Sequence, residues 1–213
     1  MHVMITGATR GIGAELARIY RADGAQVTAT ARTPQAGFAT LDVTDPESHD
    51  ALAATISGPL DLLVCNAGVY LDKGQKIDGG YGPDLWAASF ATNVTGVFLS
   101  VQAMLPALRA ARGKIAIISS QMASQERAPG GSYIYRASKA AALNLGRNLA
   151  RDLAGDGIAV GIYHPGWVQT DMGGAAAEIT PAQSASGLKA RFAALSVATT
   201  GCFETWDGRA HPF

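Results

Sequence analysis

The tightest constraint on the fold lies in the first two dozen residues. An apolar run at residues 2–6 breaks into Thr6-Gly7-Ala8-Thr9-Arg10-Gly11-Ile12-Gly13, and apolar residues at Ile12, Leu16, Ile19 and Tyr20 then recur at helical spacing as far as Gly24. A strand, a glycine-rich turn and a helix in immediate succession form the context in which helix-start N–H groups cradle a phosphate. Gly7 allows the tight turn, Gly11 lets a pyrophosphate approach the backbone, and Gly13 lets helix and strand pack closely. The spacing is G-x-x-x-G-x-G, a departure from the more widespread G-x-G-x-x-G.

The rest of the chain continues the alternation. Strands are expected at residues 25–31, 41–43, 60–65, 114–118, 158–163 and 201–206. Between them, Asp45-Pro46 opens a helix to about Ser57, and a long helix covers residues 83–111 with a bend at Gly96. A further helix runs from about Tyr133 to near Gly155. The capping box Thr180-Pro181-Ala182-Gln183 starts another, which ends near Leu195. The link at residues 33–39 is too short for a crossover helix. This pattern predicts an α/β chain: a doubly wound Rossmann fold whose mainly parallel sheet has about seven strands. With 213 residues and no repeat or composition shift, one domain is expected to span residues 1–213.

Charge narrows the function classes. Lys+Arg and Asp+Glu stand at 17 each, so no basic field invites nucleic acid or anionic lipid. The two cysteines, Cys65 and Cys202, have neither metal-ligand spacing nor a disulfide framework, and no metal site is expected. No signal peptide and no apolar run long enough to cross a bilayer is read, so a cytoplasmic protein is the expectation.

The chemistry concentrates between residues 114 and 151. Tyr135 and Lys139 are four apart on a helix and share a face. An ammonium near a phenol is expected to lower the phenol's pKa by roughly one to three units, towards the range where acid–base catalysis works best. As a bare i,i+4 pair, the two are more often an ordinary half-exposed couple. Ser119 and Ser120 end a buried strand at the sheet edge where open α/β folds bind ligands. Asn93, mid-helix among apolar neighbours, needs partners and could be structural or a relay. At the end of strand two, an acid would hold a ribose 2′-OH, yet the chain has Thr30-Ala31-Arg32. Arg32 and Arg10 would suit a 2′-phosphate, and otherwise they are two solvated surface arginines. Asn66-Ala67-Gly68, closing strand four, leaves room for a ligand or is merely a turn.

Thr6-Gly7 to Gly13, Leu41-Asp42-Val43, Asn66-Ala67-Gly68, Asn93, Ser120, Tyr135-x-x-x-Lys139 and Pro165-Gly166 occur in order and together resemble the classical short-chain dehydrogenase/reductases. Residues 132–141, 164–174 and 203–208 look like the C-factor/sniffer-like carbonyl reductase branch. The resemblance implies an NADP(H)-dependent oxidoreductase that moves hydride between nicotinamide and a small or medium carbonyl/alcohol pair. Tyr135 would be the general acid/base, Ser120 would hold the carbonyl oxygen, and Lys139 would bind the nicotinamide ribose and depress the tyrosine pKa. Asn93 would position a relay water. Gly7, Thr9, Arg10, Gly11, Ile12, Gly13 and Arg32 would meet the phosphates, and Asp42 and Val43 the adenine. Asn66, Ala67 and Gly68 would flank the adenosine ribose, and Pro165, Gly166, Val168 and Thr170 the carboxamide and pyrophosphate side. NADP(H) is favoured over NAD(H).

Ser120 and Tyr135 are two positions further apart than is usual in the family, and the usual count lands on Tyr133. Helical geometry favours Tyr135: it lies about 40° from Lys139 around the helix, whereas Tyr133 lies about 120° away. Gln121, Tyr133, Trp167 and Met172 are the expected substrate contacts, with residues 166–180 as a small-residue lid. His164 is expected to be structural, because Tyr135 already fills the acid/base role. A non-enzymatic or vestigial NADP(H)-binding sensor or signalling protein is the rival reading. An epimerase or dehydratase would need a larger carboxyl-terminal region. A homodimer or homotetramer is expected by analogy alone.

Overall fold

Seven strands pair side by side: β1 (His2–Ile5), β2 (Gln26–Ala31), β3 (Ala39–Thr40), β4 (Leu62–Cys65), β5 (Lys114–Ile118), β6 (Ala159–His164) and β7 (Phe203–Thr205). In the computed structural model, which describes residues 1–213, their order is β3-β2-β1-β4-β5-β6-β7 and every pairing is parallel. The helices are α1 (Gly11–Ala22), α2 (Pro46–Ala53), α3 (Pro83–Phe90), α4 (Gly96–Ala111), α5 (Tyr133–Leu153) and α6 (Pro181–Ala194).

Alternate residues of each strand feed two separate cores, because successive side chains on a strand point to opposite faces. Met4, Leu63, Cys65, Ile115, Ile117, Val160 and Ile162 pack with Leu52 of α2, Val97, Val101, Met104 and Leu108 of α4, and Leu143 and Leu153 of α5. Val3, Ile5, Leu62, Val64, Ala116, Ile118 and Tyr163 pack with Leu16 and Tyr20 of α1 and with Leu188 and Phe192 of α6. The chain leaves β1 in one direction towards β2 and β3, then returns to place β4 on β1's other side. The carboxyl ends of β1 and β4 therefore flank the switch point, where doubly wound sheets open a crevice.

Several expected boundaries are corrected by local chemistry. Strand three stops at Thr40 instead of covering residues 41–43. The Asp42 carboxylate accepts from the Thr44 amide (2.9 Å) and hydroxyl (2.7 Å), a local turn that competes with the ladder. Helix α2 ends at Ala53, short of Ser57, where the Thr55 hydroxyl donates back to the Leu52 carbonyl at 2.7 Å. The single long helix of residues 83–111 is two helices joined by a π turn at Ala91–Thr95, ahead of the expected bend. Gly96 lets the helix approach Val43, whose carbonyl oxygen would lie 2.8 Å from any Cβ placed there.

The expectation that no apolar run could cross a bilayer also fails as stated. Pro83–Ala111 is long and apolar enough by length and composition, with a mean hydropathy of 1.4. In the fold, however, its α4 half packs one face against the sheet through Val97, Val101, Met104 and Leu108.

The α5–sheet contact is close because Gly146 faces it. A Cβ there would meet Ile162 Cγ1 at 2.6 Å and Ile117 Cδ1 at 3.0 Å. Gly146→Ala gains about 1 kcal/mol of helix propensity and incurs roughly 1–3 kcal/mol of overpacking. A lower urea midpoint at unchanged slope is the expected outcome, and a raised midpoint would show that α5 can lift off the sheet at little cost.

Candidate active site

The crevice at the switch point is laced open by side chains. Thr6 Oγ1, at the end of β1, accepts from the amides of Asn66 and Ala67, both at 3.0 Å. Asn66 Nδ2 donates back to the carbonyls of Thr6 (3.0 Å) and Gly7 (2.9 Å). From the β2 side, Thr30 Oγ1 accepts from the Gly7 amide at 3.2 Å. Gly7 and Gly11 adopt φ of 64° and 56°, the left-handed region in which a side chain is strained. The turn delivers the chain to α1 with Arg10 as N-cap and no side-chain cap, so the first helical N–H groups face the cleft unclaimed by a side chain.

The resulting cleft, about 540 Å³, is lined by Gly7, Thr9, Arg10, Gly11, Ile12 and Gly13, by Arg32, Asp42 and Val43, and by Asn66, Ala67 and Gly68. Tyr135, Lys139, Pro165, Thr170 and Met172 line it too. These residues fit a dinucleotide: a bare helix N-terminus for a pyrophosphate, and Arg32 where a 2′-OH-binding acid would otherwise stand. Asp42 is held below the usual carboxylate range, first by the Thr44 amide and further by Arg32 and His49.

Some expected contacts fall outside the cleft wall. Gly166 and Val168 do not line it; Val168 is buried, bridged to Ile179, and holds the 166–180 segment against itself. Ser120 and Asn93 are buried just behind the wall. Gln121 accepts from Arg127, Trp167 Nε1 donates to the Gly173 carbonyl at 2.9 Å, and Tyr133 is 42% exposed with its ring edge-on to Tyr81. Of the four expected substrate contacts, only Met172 lines the cleft, its sulfur 4.0 Å from the Tyr135 hydroxyl. Arg10 is paired with Asp171 of the same segment at 2.6 Å. The pair is exposed, so it is worth at most about 1 kcal/mol and leaves Arg10 free to exchange partners.

The tyrosine–lysine pair is assembled as the helical spacing implied, but its electrostatics differ. Lys139 Nζ lies 5.7 Å from the Tyr135 ring centroid and donates to the Ile118 carbonyl at 2.9 Å. Both side chains are buried. Burial pushes the phenol up to about 12, with Ser120's hydrogen bond opposing and Tyr70 and Asp72 adding to the rise. The expected lowering of the tyrosine is therefore not seen in the free chain, where burial is the largest influence on the phenol and acts upward. The same desolvation brings Lys139 down to about 8. Asn93, inside the π turn, accepts from the Val69 amide (2.8 Å) and donates to the Val69 carbonyl (2.9 Å) and Ser138 Oγ (3.0 Å). Its Nδ2 is fully committed, so a relay through Asn93 has only Oδ1's remaining lone pair or the main chain to use. His164, at the end of β6, is pushed down to about 4 by burial, which keeps it uncharged.

Sequence reasoning missed the segment after Gly68. Tyr70 stacks on Tyr135 with ring centroids 4.3 Å apart, and Asp72 is completely buried against the start of α5. Asp72 lies in a stretch, residues 69–82, whose glycine and charge content reads as a surface excursion. An isolated acid flanked by Leu71 and Lys73 carries no local sign of burial.

A Rossmann-type dinucleotide fold is the class that this switch-point cleft defines. The chain belongs to the short-chain dehydrogenase family, whose pattern matches residues 1–180, and it is accordingly an oxidoreductase of the dehydrogenase/reductase type. The C-signal of Myxococcus xanthus is 36% identical over 159 residues, covering 74% of this chain and 95% of that protein. Among solved structures, the NADPH-bound carbonyl reductase from chicken fatty liver superposes with a TM-score of 0.91 at 29% identity, covering 100% of this chain and 98% of that one. The carbonyl reductase Sniffer of Drosophila melanogaster gives 0.92 at 25% identity, covering 100% and 99%. The resemblance to the C-factor/sniffer-like branch is thus met on both sides.

Lys139 provides a pH test of this burial. Its folded pKa lies below the unfolded lysine value of about 10.4, so its stabilising contribution is present above that value and is lost as pH falls to about 8. The stability of wild type minus that of Lys139→Met should therefore rise from about pH 8 upward. Urea midpoints across that range check it, and a flat difference would mean that Lys139 is solvated.

Proposed function

We propose that this chain is an NADPH-dependent carbonyl reductase acting on small or medium carbonyl compounds. The observation that carries the reading is the Tyr135 phenol buried in the wall of the dinucleotide cleft, with the Lys139 ammonium 5.7 Å from its ring centroid. Burial keeps the phenol protonated at neutral pH, so it holds the proton that a carbonyl oxygen must receive. NADPH, when bound, supplies the hydride that goes to the carbonyl carbon. Tyr135 donates its proton to the oxygen as the carbon–oxygen double bond becomes single, and the product is the alcohol. Ser120's hydroxyl, at the end of β5 near the phenol, holds that oxygen in line. Lys139, charged below about pH 8 and anchored on the Ile118 carbonyl, faces the developing phenolate and stabilises it. Arg32, with Arg10 once it leaves Asp171, forms the cationic lip for the 2′-phosphate. The NADPH carried by the chicken carbonyl reductase supports this choice of cofactor.

The likeness to the C-signal favours one second reading, an NADP(H)-binding signalling protein with vestigial catalysis. The assembled Ser120, Tyr135 and Lys139 set weighs against it.

Tyr135→Phe should lose roughly 10²- to 10⁴-fold in kcat while still binding NADPH, measured by nicotinamide absorbance and fluorescence titration. Equal turnover in wild type and variant would transfer the assignment to the signalling reading. Arg32→Ala should weaken NADPH binding roughly ten- to a hundredfold, the value of a hydrogen bond to a charged group, and leave NADH unaffected. Equal losses for both cofactors would mean that Arg32 does not read the 2′-phosphate.

A further inference from the structure

Helix α5 carries both Tyr135 and Lys139, yet its own N-cap residue does not cap it. Ser132 sits at φ 48° and makes no side-chain bond to the first turn. The cap comes from far away in sequence. Asp72 Oδ2 accepts from the Ile134 amide at 2.9 Å, and Oδ1 from the Tyr135 amide at 3.2 Å. Asp72 is 0% exposed and belongs to none of the chain's ion pairs. An ionised carboxylate buried without a cation costs several kcal/mol. Two main-chain donors at the positive end of a long helix are what offset that cost.

Asp72 ends a strap, residues 69–72, that touches the Tyr135 neighbourhood at each step. Val69 is clamped through both main-chain polar groups by Asn93. Tyr70 stacks on the Tyr135 ring at an interplanar angle of 24°, and its hydroxyl bonds Ser132 Oγ at 2.5 Å. A helix capped by its own serine would keep its first turn wherever the loop before it went. This one takes its position from the strap.

We propose that Asp72 is a positioning residue for Tyr135: its buried carboxylate fixes the first turn of α5 against the 69–72 strap and sets a negative charge beside the phenol. The proposal rests on Tyr135 being the acid. The groups facing that phenol are Tyr70 and Asp72 from the strap, Ser120 from the end of β5, Lys139 from α5 itself, and Met172 from the 166–180 segment. Among them Asp72 is the one anion, and its charge raises the phenol's hold on its proton. The phenolate that oxidation requires therefore forms only at higher pH.

The test compares Asp72→Asn, Asp72→Glu and Tyr135→Phe in the full chain. Reduction of para-nitrobenzaldehyde by NADPH and oxidation of the corresponding alcohol by NADP⁺ are followed across pH, with NADPH fluorescence titration as the check that the cleft is folded. Asp72→Asn is expected to lower kcat for reduction by roughly ten- to a hundredfold, the cost of a misplaced reacting group, with little change in NADPH affinity. The rise of the oxidation rate with pH, which follows phenolate formation, should move to lower pH. Asp72→Glu keeps the charge, so its rise should stay at the wild-type position while kcat drops because the longer side chain displaces the turn. Unchanged kcat in Asp72→Asn, or a fall with the pH rise unmoved, overturns the proposal. If Asp72→Asn fails to bind NADPH, Asp72→Glu decides alone, and wild-type kcat in it overturns the proposal. Unchanged turnover in Tyr135→Phe instead sinks the catalytic reading itself. Loss there with full turnover in both Asp72 variants removes only the role of Asp72.

Discussion

The cleft exists because two adjacent parallel strands are held together just where their chains part. Thr6 and Gly7 exchange side-chain and main-chain hydrogen bonds with Asn66 and Ala67 across the ends of β1 and β4, four contacts near 3 Å. Without them the left-handed conformations at Gly7 and Gly11 would have nothing to hold their direction, and α1 would not present its bare amides to the crevice. The same Asn66 amide makes Gly13 obligatory, since a Cβ there would come within 2.5 Å of Asn66 Nδ2. One polar knot thus sets the phosphate cradle, the helix approach and the starting point of the strap.

From that knot the chain runs directly to the proton-transfer group. Residues 66–72 pass from the glycine turn to Asn93, then to the face of Tyr135, then to the amides that begin its helix. Gly68 is part of this path, since a Cβ there would stand 3.3 Å from both Asn93 Oδ1 and Lys139 Nζ. The cofactor half and the chemical half of the site are therefore parts of one hydrogen-bonded segment, and a displacement at one end is carried to the other. Loops normally bring variability to a site. This one brings rigidity, because nearly every residue in it has a buried partner.

Much of this was legible in the sequence wherever the determinant is periodic or local. The glycine turn, the Thr180–Gln183 capping box, the helical phase of Tyr135 and Lys139 and the two-faced strands all follow from spacing within a few residues. The choice of Tyr135 over Tyr133 came from helical phase, and the cleft receives the first and not the second. What escaped depends on tertiary neighbours. Strand three was shortened by one aspartate's preference for its own turn, and the π turn at Ala91–Thr95 leaves no periodic trace over so few residues. Asp72 meets its partners 62 and 63 positions away, beyond any local pattern.

The tyrosine's electrostatics failed for a related reason, and the failure is informative. Spacing reports that an ammonium is near a phenol, but not that both have been taken out of water together. In water-exposed pairs the charge dominates; in a dry pair the loss of hydration acts on each partner separately, raising the phenol and lowering the amine. Here the two shifts drive the phenol and the amine apart, from nearly equal values in the free groups to about 12 against about 8, both above neutrality. A phenol that keeps its proton until a carbonyl oxygen arrives, beside an amine that can stabilise the phenolate left behind, fits the proposed role of Tyr135 as acid. The buried Asp72 adds to the phenol's rise. The protonation of the site is thus set by what the fold excludes from solvent as much as by the residues it brings together.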